Sequence, residues 1–485
     1  MSVWLLSIAA LDAADAAVTL RFASGAYKDP AHHLWLVRLQ QPALFALRAF
    51  GKTLASAGRS GFGEAVLVNS DGGLDYLADY SVDGRLATLS LVTASGSILP
   101  VLVGTVQRLS WDGNKISVRL RDPQEALQLP HPAGVYAGNN ALPAGLEGSS
   151  DIVGKQKPRV YGPVSNMQPV LVNTARYIYQ ASERTQSTIT GVYVQGSALT
   201  AGATYSSTAD MQANAPAGGQ YRAYQGCFRV GNVPTGTVSC DVGDTTTTLL
   251  GDVFAVIAAD AGATLLAADA TALNGVGVAG LRIADATPTA DLLDTLAASA
   301  GGYWAYSANG TLRARQLITP DVSPVLTLTS ADIIEISRSA TGSGDNGLPV
   351  WRVVLGADKV EDTQTDNVAI ANAARLTTQF RQAIYESAST RTRHPLAATL
   401  EIDTALRSLA DAQTQANRLG GLLSVRRDQV QGTARLSPAA VSALDIGITV
   451  AIKTKRLGYT AGRNFVVLGY ELDAQRSRAT LDLWG

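Results

Sequence analysis

The sequence has few charged residues and no strongly basic segment. Asp, Glu, Lys and Arg make up 16% of its 485 residues, below the roughly 25% that is usual in soluble domains. The 39 basic and 40 acidic residues give a formal net charge of −1. Because nucleic-acid binding depends on clustered positive charge, we expect no sequence-specific binding to DNA or RNA. Low charge together with 46 glycines favours a surface that is either small and neutral or covered by partners.

Cysteine is almost absent. Cys227 and Cys240 are the two cysteines of the chain, and their spacing matches neither a zinc motif nor a CxxC redox motif. Two thiols cannot form a disulfide framework. They are therefore either free thiols of a protein that assembles in a reducing cytoplasm, or one bridge within a local hairpin.

Long apolar runs are also missing. The best candidate, residues 253–259, is flanked by Asp252 and Asp260 and is far shorter than the about 18 residues that a membrane-spanning helix needs. Residues 1–17 contain a short apolar run, but they lack a basic segment and are interrupted by Asp12 and Asp15. We therefore expect the chain to be made and folded in the cytoplasm.

Residues suited to catalysis or metal binding are scarce and scattered. No HExxH or GxSxG motif occurs. The four histidines are too dispersed for a predicted metal site: His32, His33, His131 and His394. Three acidic residues in periodic segments are interpreted as surface charges: Glu335, Glu386 and Glu401. A glycosidase pair of distant carboxylates stays open as an alternative. The sequence thus predicts no catalytic residue, no cofactor, no metal ligand and no enzymatic activity.

Two glycine-rich segments partly match nucleotide-binding motifs. Residues 275–280, GVGVAG, match GxGxxG, but the sequence after them favours a strand and Pro288 follows soon. A dinucleotide site needs a strand before the glycines and a helix that opens within them. Gly51-Lys52-Thr53 matches only the end of a phosphate-binding loop, because Ala46 stands where its first glycine belongs. We interpret the 275–280 glycines as a flexible turn and expect no nucleotide at either segment.

An aromatic cluster lies in the middle of the chain. Tyr303, Trp304 and Tyr306 provide flat rings that are able to stack on a sugar. Their alternation along a strand instead favours a half-buried sheet face, which is the interpretation we adopt.

The apolar pattern predicts an α+β protein that is mainly β and has several domains. Five regions are expected along the chain: an N-terminal β domain at 1–130, a loop-rich connection at 131–175, an inserted β-rich domain at 176–265, a helix plus β-hairpin at 266–319, and a C-terminal α+β domain at 320–485.

Local patterns predict individual elements. Strands are expected at 86–93, 101–109, 115–120, 189–194, 221–230, 245–248, 350–355, 430–436, 448–452, 465–472 and 478–484. Helical segments are expected at 122–129, 370–387 and 404–423, the last with Leu406, Leu409, Ala410, Gln413, Ala416 and Leu423 on one stripe. Thr287 and Pro288 predict a helix start, and Gly301-Gly302 its end before a hairpin at 303–315.

Four stretches of the sequence resemble a family of phage proteins. They are KPRVYGPVSNMQPVLVN (157–173), TADLLDTLAASAGGYWAYSANGTLRARQL (289–317), GLPVWRVVLG (347–356) and the terminal RLGYTAGRNFVVLGYELDAQRSRATLDLWG (456–485). These segments resemble the tail-tip or baseplate hub proteins of long-tailed bacteriophages and of related gene transfer particles. The resemblance covers 157–173 and most of 287–485, and its motifs are structural. It implies two tube-like β domains, a trimer and a central channel, with no active site to transfer.

The function that this resemblance implies is that of a structural hub in the virion. The hub would close the tail tube, adapt its sixfold symmetry to a threefold tip and leave a channel for genome ejection. Expected partners are two further copies of the chain, a distal tail protein or tail tube ring, the tape measure protein, and other tail-tip, central spike or fibre proteins. Assembly is expected in the host cytoplasm. Two alternatives stay open: a receptor- or carbohydrate-binding tip protein that uses 176–260, and a hub that carries a cell-wall hydrolase.

Overall fold

The computed structural model describes residues 3–50, 58, 61–93, 96–142, 144–341, 349–365 and 368–485. With 42% strand and 18% helix, the fold is α+β and mainly β, as the sequence predicts. Among these residues no helix combines the length and the apolar character needed to cross a membrane.

The first 130 residues form a curved sheet that nearly closes. The elements of this region are β1 (Val3–Leu11), β2 (Ala17–Ala23), β3 (Leu36–Val37), β4 (Leu39–Gln41), β5 (Phe45–Arg48), β6 (Gly61–Phe62), β7 (Glu64–Val68), β8 (Leu86–Val92), β9 (Ile98–Asp112), β10 (Lys115–Arg121) and α1 (Gln124–Leu127). Of these, β5 and β6 belong to another sheet. The strand order is β3-β2-β1-β8-β9-β10-β7-β4. Since only Arg38 separates the two outermost strands, β3 and β4, the sheet almost completes a ring, which we name the first barrel.

Period-two alternation explains why these residues form a barrel. Along β1, Trp4, Leu6, Ile8 and Ala10 lie in the main hydrophobic core. Successive side chains of a strand point to opposite faces, so these four side chains share the inner face. The strands predicted at 86–93, 101–109 and 115–120 are confirmed as β8, part of β9, and β10.

The middle of the chain forms two small sheets that share a core separate from the main one. The elements are β11 (Arg159–Tyr161), β12 (Val164–Met167), β13 (Val170–Asn173), β14 (Ile178–Gln180), β15 (Ser187–Val194), β16 (Ser197–Ala198), β17 (Thr200–Ala201), α2 (Thr208–Ala213), β18 (Gln220–Tyr224), β19 (Cys227–Val230) and β20 (Val238–Asp244). One sheet has the order β12-β20-β15-β16 and the other β13-β14-β19-β18-β17.

Three predictions for this region need correction. Residues 159–173 contain three short strands where the sequence indicates loops. The partners of β11 and β12, a later strand and β20, are remote in the chain, whereas β13 forms a local hairpin with β14. The strand predicted at 221–230 is a hairpin that turns at Gln225, whose φ is +50°. Residues 245–248 are not a strand, because the Asp244 carboxylate accepts the backbone N–H groups of Thr246 and Thr247 at 2.9 and 3.0 Å.

A compact helical element with a hairpin follows. It comprises α3 (Leu250–Asp260), α4 (Ala267–Asn274), β21 (Leu281–Ile283), α5 (Thr289–Ser299), β22 (Gly302–Tyr306) and β23 (Leu312–Gln316). The helix and the hairpin are confirmed, and Gly301 ends the helix with a φ of +57°. The helix starts one residue later than predicted, since Pro288 occupies the capping position and no side chain caps it. The apolar run 253–259 belongs to the buried helix α3.

The last region forms a second curved sheet and a three-stranded sheet. Its elements are β24 (Leu326–Thr329), β25 (Ile333–Thr341), β26 (Val350–Ala357), α6 (Ile370–Leu376), β27 (Arg381–Glu386), α7 (Ala388–Arg393), β28 (Ala398–Asp403), α8 (Leu409–Leu423), β29 (Arg427–Arg435), α9 (Pro438–Ala443), β30 (Thr449–Lys453), β31 (Arg463–Asp473) and β32 (Arg478–Trp484). The larger sheet has the order β24-β30-β31-β32-β29-β25. Side chains from five of these strands enclose a space of about 10 Å³, so the sheet surrounds its own core; we name it the second barrel.

Two predicted helices of this region are corrected. The segment 370–387 is helical only to Leu376 and then becomes β27, which pairs with β26. The helix predicted over 404–423 begins at Leu409, because the Ser408 hydroxyl caps it by accepting the Asp411 N–H at 3.2 Å. Ala410 is exposed, so it does not lie on the buried stripe. The buried face instead contains Ala412, Gln415, Ala416, Leu419, Gly420, Leu422 and Leu423.

Strand β32 occupies an interior position of the second barrel, with β29 on one side and β31 on the other. Its predicted bounds are confirmed, and Leu481 and Leu483 face the core at 1% exposure. Trp484 is also 1% exposed and therefore fully buried.

We expect Leu483→Ala to destabilise the protein, since it leaves a cavity beside two strands. Such a change costs about 2–5 kcal/mol, which corresponds to a fall in melting temperature of about 2–5 °C for a packed body of this size. Thr480→Ala, in the same strand but only partly buried, is the matched control. Differential scanning calorimetry of both variants measures the effect. Equal melting of Leu483→Ala and the wild type would contradict the inward orientation.

Candidate assembly interface

The two barrels are joined by a strand that crosses from one to the other. After β4, the chain leaves the first barrel and β5 pairs antiparallel with β31, with Phe45 opposite Leu472 and Arg48 opposite Gly469. Phe45 is fully buried, and its ring packs edge-to-face on Tyr470 at 6.1 Å between centroids. The Arg48 guanidinium also pairs with the Asp482 carboxylate of β32 at 3.1 Å. Strand β5, although it comes from the N-terminal region, is therefore part of the second barrel.

Elements from the second half of the chain also contact the first barrel. The backbone N–H of Val103 in β9 donates to the carbonyl of Ala308, in the turn of the β22–β23 hairpin, at 2.9 Å. Helix α9 packs on β8 and β9. Buried residues of both barrels, of α3 to α5 and of α8 belong to one continuous hydrophobic core. The two ends of the chain thus form one packed body.

A buried carboxylate holds one end of the second barrel together. Asp428 of β29 is 1% exposed and accepts hydrogen bonds from Arg338 Nη2 at 2.9 Å, Tyr459 Oη at 2.9 Å and Arg463 Nη1 at 2.6 Å. Burial, and then the bond to Asp428, raise the pKa of Tyr459 to about 12. The backbone of Asp428 also bonds in both directions with Gly485. A buried charge is tolerated only when it is paired in this way, so the network fixes β25, β29, β31 and the last residue relative to one another.

The outer surfaces of both barrels carry exposed apolar side chains. The first barrel exposes Val37, Leu86, Ile98 and Trp111, and the second barrel and the segment leading into it expose Val322, Val325 and Ile334. Single apolar residues are common on protein surfaces, whereas both barrels present several of them. These side chains are candidates for contact with neighbouring chains.

The three-stranded sheet has an edge that is capped by a side chain. In β27, the N–H of Ile384 donates to Gln413 Oε1 at 3.2 Å, and Gln413 Nε2 donates to the Ile384 carbonyl at 2.8 Å. The amide of Gln413 thereby takes the place of a neighbouring strand. Because unpaired edges invite other strands to add, this cap disfavours assembly through β27 and leaves the barrels as the candidate contact surfaces.

His131 lies in a buried polar cluster that joins the first barrel to the middle region. Its Nε2 is 2.7 Å from Tyr161 Oη and its Nδ1 is 3.2 Å from Thr289 Oγ1. Tyr161 donates to Asp260 Oδ2 at 2.5 Å, and Arg159 contacts both of these groups. Burial, and then the nearby Arg159 charge, lower the pKa of His131 to about 4. The cluster is therefore built around a neutral imidazole.

The other residues considered from the sequence are dispersed. His33 pairs with Asp29 at 3.0 Å, whereas His32 and His394 lie elsewhere, and the described residues contain no group of three His, Cys, Asp or Glu that could hold a metal ion. The GxGxxG segment connects α4 to β21, and a Cβ at Gly277 would collide with the Asp411 carboxylate. Gly277 therefore permits close packing on α8. Gly51-Lys52-Thr53 and residues 347–348 lie outside the described residues.

The aromatic cluster and one predicted carboxylate meet at a cavity. Tyr303, Trp304 and Tyr306 are each at least 91% buried, so the predicted half-buried face is instead enclosed. Tyr303, Trp304 and Glu401 line a space of about 180 Å³ together with Asp294, which the sequence did not single out. Trp304 Nε1 donates to Asp294 Oδ1 at 2.6 Å.

The other two acidic residues considered from the sequence lie elsewhere. Glu335 lies on β25, and Glu386 pairs with Arg352 at 2.9 Å.

The two cysteines are unbonded thiols. Cys227 lies in β19 and Cys240 in β20, both buried and in different cores, which decides between the two alternatives left by the sequence. Burial raises the pKa of Cys227 to about 12 and that of Cys240 above its usual value, so neither is a reactive thiolate at neutral pH.

Comparison with known proteins gives distant similarities. No family model matches the chain, and no curated protein matches it. Among solved structures, a prophage MuSo2 43 kDa tail protein from Shewanella oneidensis is similar over 100% of this chain and 98% of its own, with 9% identity and a TM-score of 0.42. A tail protein from Neisseria meningitidis MC58 is similar over 99% and 96%, with 12% identity and a TM-score of 0.39. A chain of a native gene transfer agent virion is similar over 68% and 84%, with 14% identity and a TM-score of 0.44.

We expect Phe45→Asp to separate the barrels, because it places a charge in the fully buried contact between β5 and β31. Leu44→Asp is the matched control, since Leu44 is 40% exposed. Limited proteolysis should cleave the Phe45→Asp chain at least about tenfold faster than the wild type. This rate follows if the substitution lowers the free energy of local opening at this contact by at least about 1.4 kcal/mol. Equal protection of both variants would contradict a structural role for the crossing strand.

The His131 cluster predicts a specific loss of stability in acid. With a pKa of about 4 in the folded state against 6.5 in the unfolded state, His131 contributes fully above pH 6.5 and loses that contribution as the pH falls to 4. The loss amounts to roughly 3 kcal/mol. His131→Gln should therefore show a smaller drop in melting temperature between pH 7 and pH 4 than the wild type. His394→Gln is the control and should behave as the wild type; equal drops in all three chains would refute the prediction.

Proposed function

We propose that the chain is a structural protein of a bacteriophage tail, namely the hub of the tail tip or baseplate. One observation carries the proposal: a single chain builds two barrels from its two ends and interlocks them through β5 and β31. The sequence segments that resemble tail hubs include β31, β32 and the α5 helix with its hairpin, which are the elements that contact this junction.

The proposed arrangement is a homotrimer around a channel. Three chains with two barrels each supply six similar β units, which suits contact with a sixfold tube ring above and a threefold tip below. Closed symmetry also covers the exposed apolar side chains of every barrel in the same way. Regions 1–130 and 320–485 would then alternate around the channel, and residues 131–319 would project from the ring.

This arrangement assigns partners and a location. The ring of six barrels would contact a distal tail protein or the last tube ring, with the tape measure protein above the channel and spike or fibre proteins below. The buried, unbonded cysteines are compatible with assembly in the host cytoplasm. The channel would open for genome ejection. No residue in this proposal performs catalysis, and the protein acts through its contacts.

Copy number tests the proposal. We expect the assembled tail tip to contain three copies of the chain for each six-membered tube ring. Quantitative mass spectrometry of purified particles gives the ratio, and rotational averaging of tail-tip images gives the symmetry. Six copies per tip, or end regions that do not share one ring, would rule out the arrangement.

A further inference from the structure

A polar cavity of about 120 Å³ lies where the middle sheets meet helix α6. A parallel bridge between Ser165 and Val360 brings the two parts together there. The residues that matter for its chemistry are Asn166 of β12, Tyr193 of β15, Asp241 of β20, Val360, and Arg375 and Leu376 of α6.

Asn166 provides an unused hydrogen-bond acceptor. Its backbone N–H donates to Asp241 Oδ1 at 2.8 Å and its side-chain Nδ2 donates to the Asp362 carbonyl at 2.6 Å. These two bonds hold the residue in a left-handed conformation with a φ of +50°. The residue is 2% exposed, and its Oδ1 has no partner. Buried carbonyl oxygens rarely stay unpaired, so this atom is suited to a ligand donor.

Arg375 provides an unused donor. Its Nη2 donates to the Asp358 carbonyl at 2.9 Å and pairs with the Asp358 carboxylate at 3.0 Å. Its Nη1 has no partner, although the side chain is one-third exposed, with 33% of its surface accessible. Arg375 therefore lines the cavity and also reaches the protein surface.

The carboxylates around the cavity already have hydrogen-bond partners. Asp358 pairs with Arg375 and, at 3.4 Å, with Arg407. Asp241 accepts from Tyr193 Oη at 2.8 Å as well as from Asn166. Asn166 Oδ1 and Arg375 Nη1 are left without a partner, and a ligand that supplies one donor and one acceptor matches both.

We propose that this cavity binds the acetamido group of an N-acetylated amino sugar. The acetamido carbonyl accepts from Arg375 Nη1, its N–H donates to Asn166 Oδ1, and its methyl group packs on Val360 and Leu376. The cavity of about 120 Å³ has room for the four non-hydrogen atoms of this group, since a water-sized atom needs about 10–15 Å³. The inference goes beyond the proposed tail function and does not depend on it.

The test uses the full-length chain and ligand-observed saturation-transfer NMR. The probes are N-acetylglucosamine, glucosamine and glucose, with N-acetylglycine amide as a secondary amide that carries no sugar. We expect saturation of the N-acetylglucosamine methyl group and none of glucose or glucosamine. Arg375→Lys keeps the charge beside Asp358 but removes the second donor, so its affinity should fall about tenfold or more.

Arg381→Lys is the matched control, because Arg381 pairs with the same Asp358 carboxylate at 3.6 Å but does not line the cavity. Equal melting temperatures of the two variants show that both are folded. Binding of N-acetylglycine amide alone would replace the sugar by a peptide-like ligand and overturn the proposal. So would binding of glucose at the level of N-acetylglucosamine, or unchanged binding by Arg375→Lys.

Discussion

The antiparallel pairing of β5 with β31 is the contact on which the arrangement of the two barrels depends. Four residues of the N-terminal region fill part of the ladder of a C-terminal strand, and Phe45 and Leu47 are fully buried there. Backbone hydrogen bonds fix the register of this pairing, and the Phe45–Tyr470 contact excludes water from it. Removing β5 would uncover the half of β31 that β30 does not reach.

Buried polar groups fix the relative positions of elements that could shift against one another if apolar packing alone held them. The Asp428 carboxylate accepts hydrogen bonds from two arginines and one tyrosine. The His131 cluster connects β11, α3 and the start of α5. Each network joins segments that are far apart in the chain. Since an unpaired buried charge costs several kcal/mol, these networks specify which segments meet.

The sequence predicts best where one local pattern decides the outcome. The helix that ends at Gly301, the hairpin after it and the bounds of β32 follow from periodicity and turn residues, and all are observed. Prediction from sequence fails where contacts with other side chains or strands decide the secondary structure of a segment. Residues 381–386 have a helix-compatible composition but pair with β26, and the Asp244 carboxylate, rather than threonine propensity, sets the path of 245–248.

The candidate sites were even less accessible from sequence. Asn166 and Arg375 are 209 positions apart, and neither belongs to a motif; only the Ser165–Val360 bridge brings them to one cavity. Asp294 and Glu401 likewise meet only through the packing of α5 on β28. The histidines, by contrast, were visible in the sequence, but the burial of His131 depends on a tyrosine and a threonine from other elements.

The crossing strand also sets an order of events during synthesis. Residues 45–48 leave the ribosome long before their partners at 469–472. At about 5–20 residues per second, this delay is on the order of tens of seconds. During that time β5 can pair with β6 but lacks β31 on its other side, and a prematurely terminated chain never acquires that partner. Completion of the second barrel therefore reports that translation has reached the last strands, so incomplete chains lack the finished surface through which copies would join.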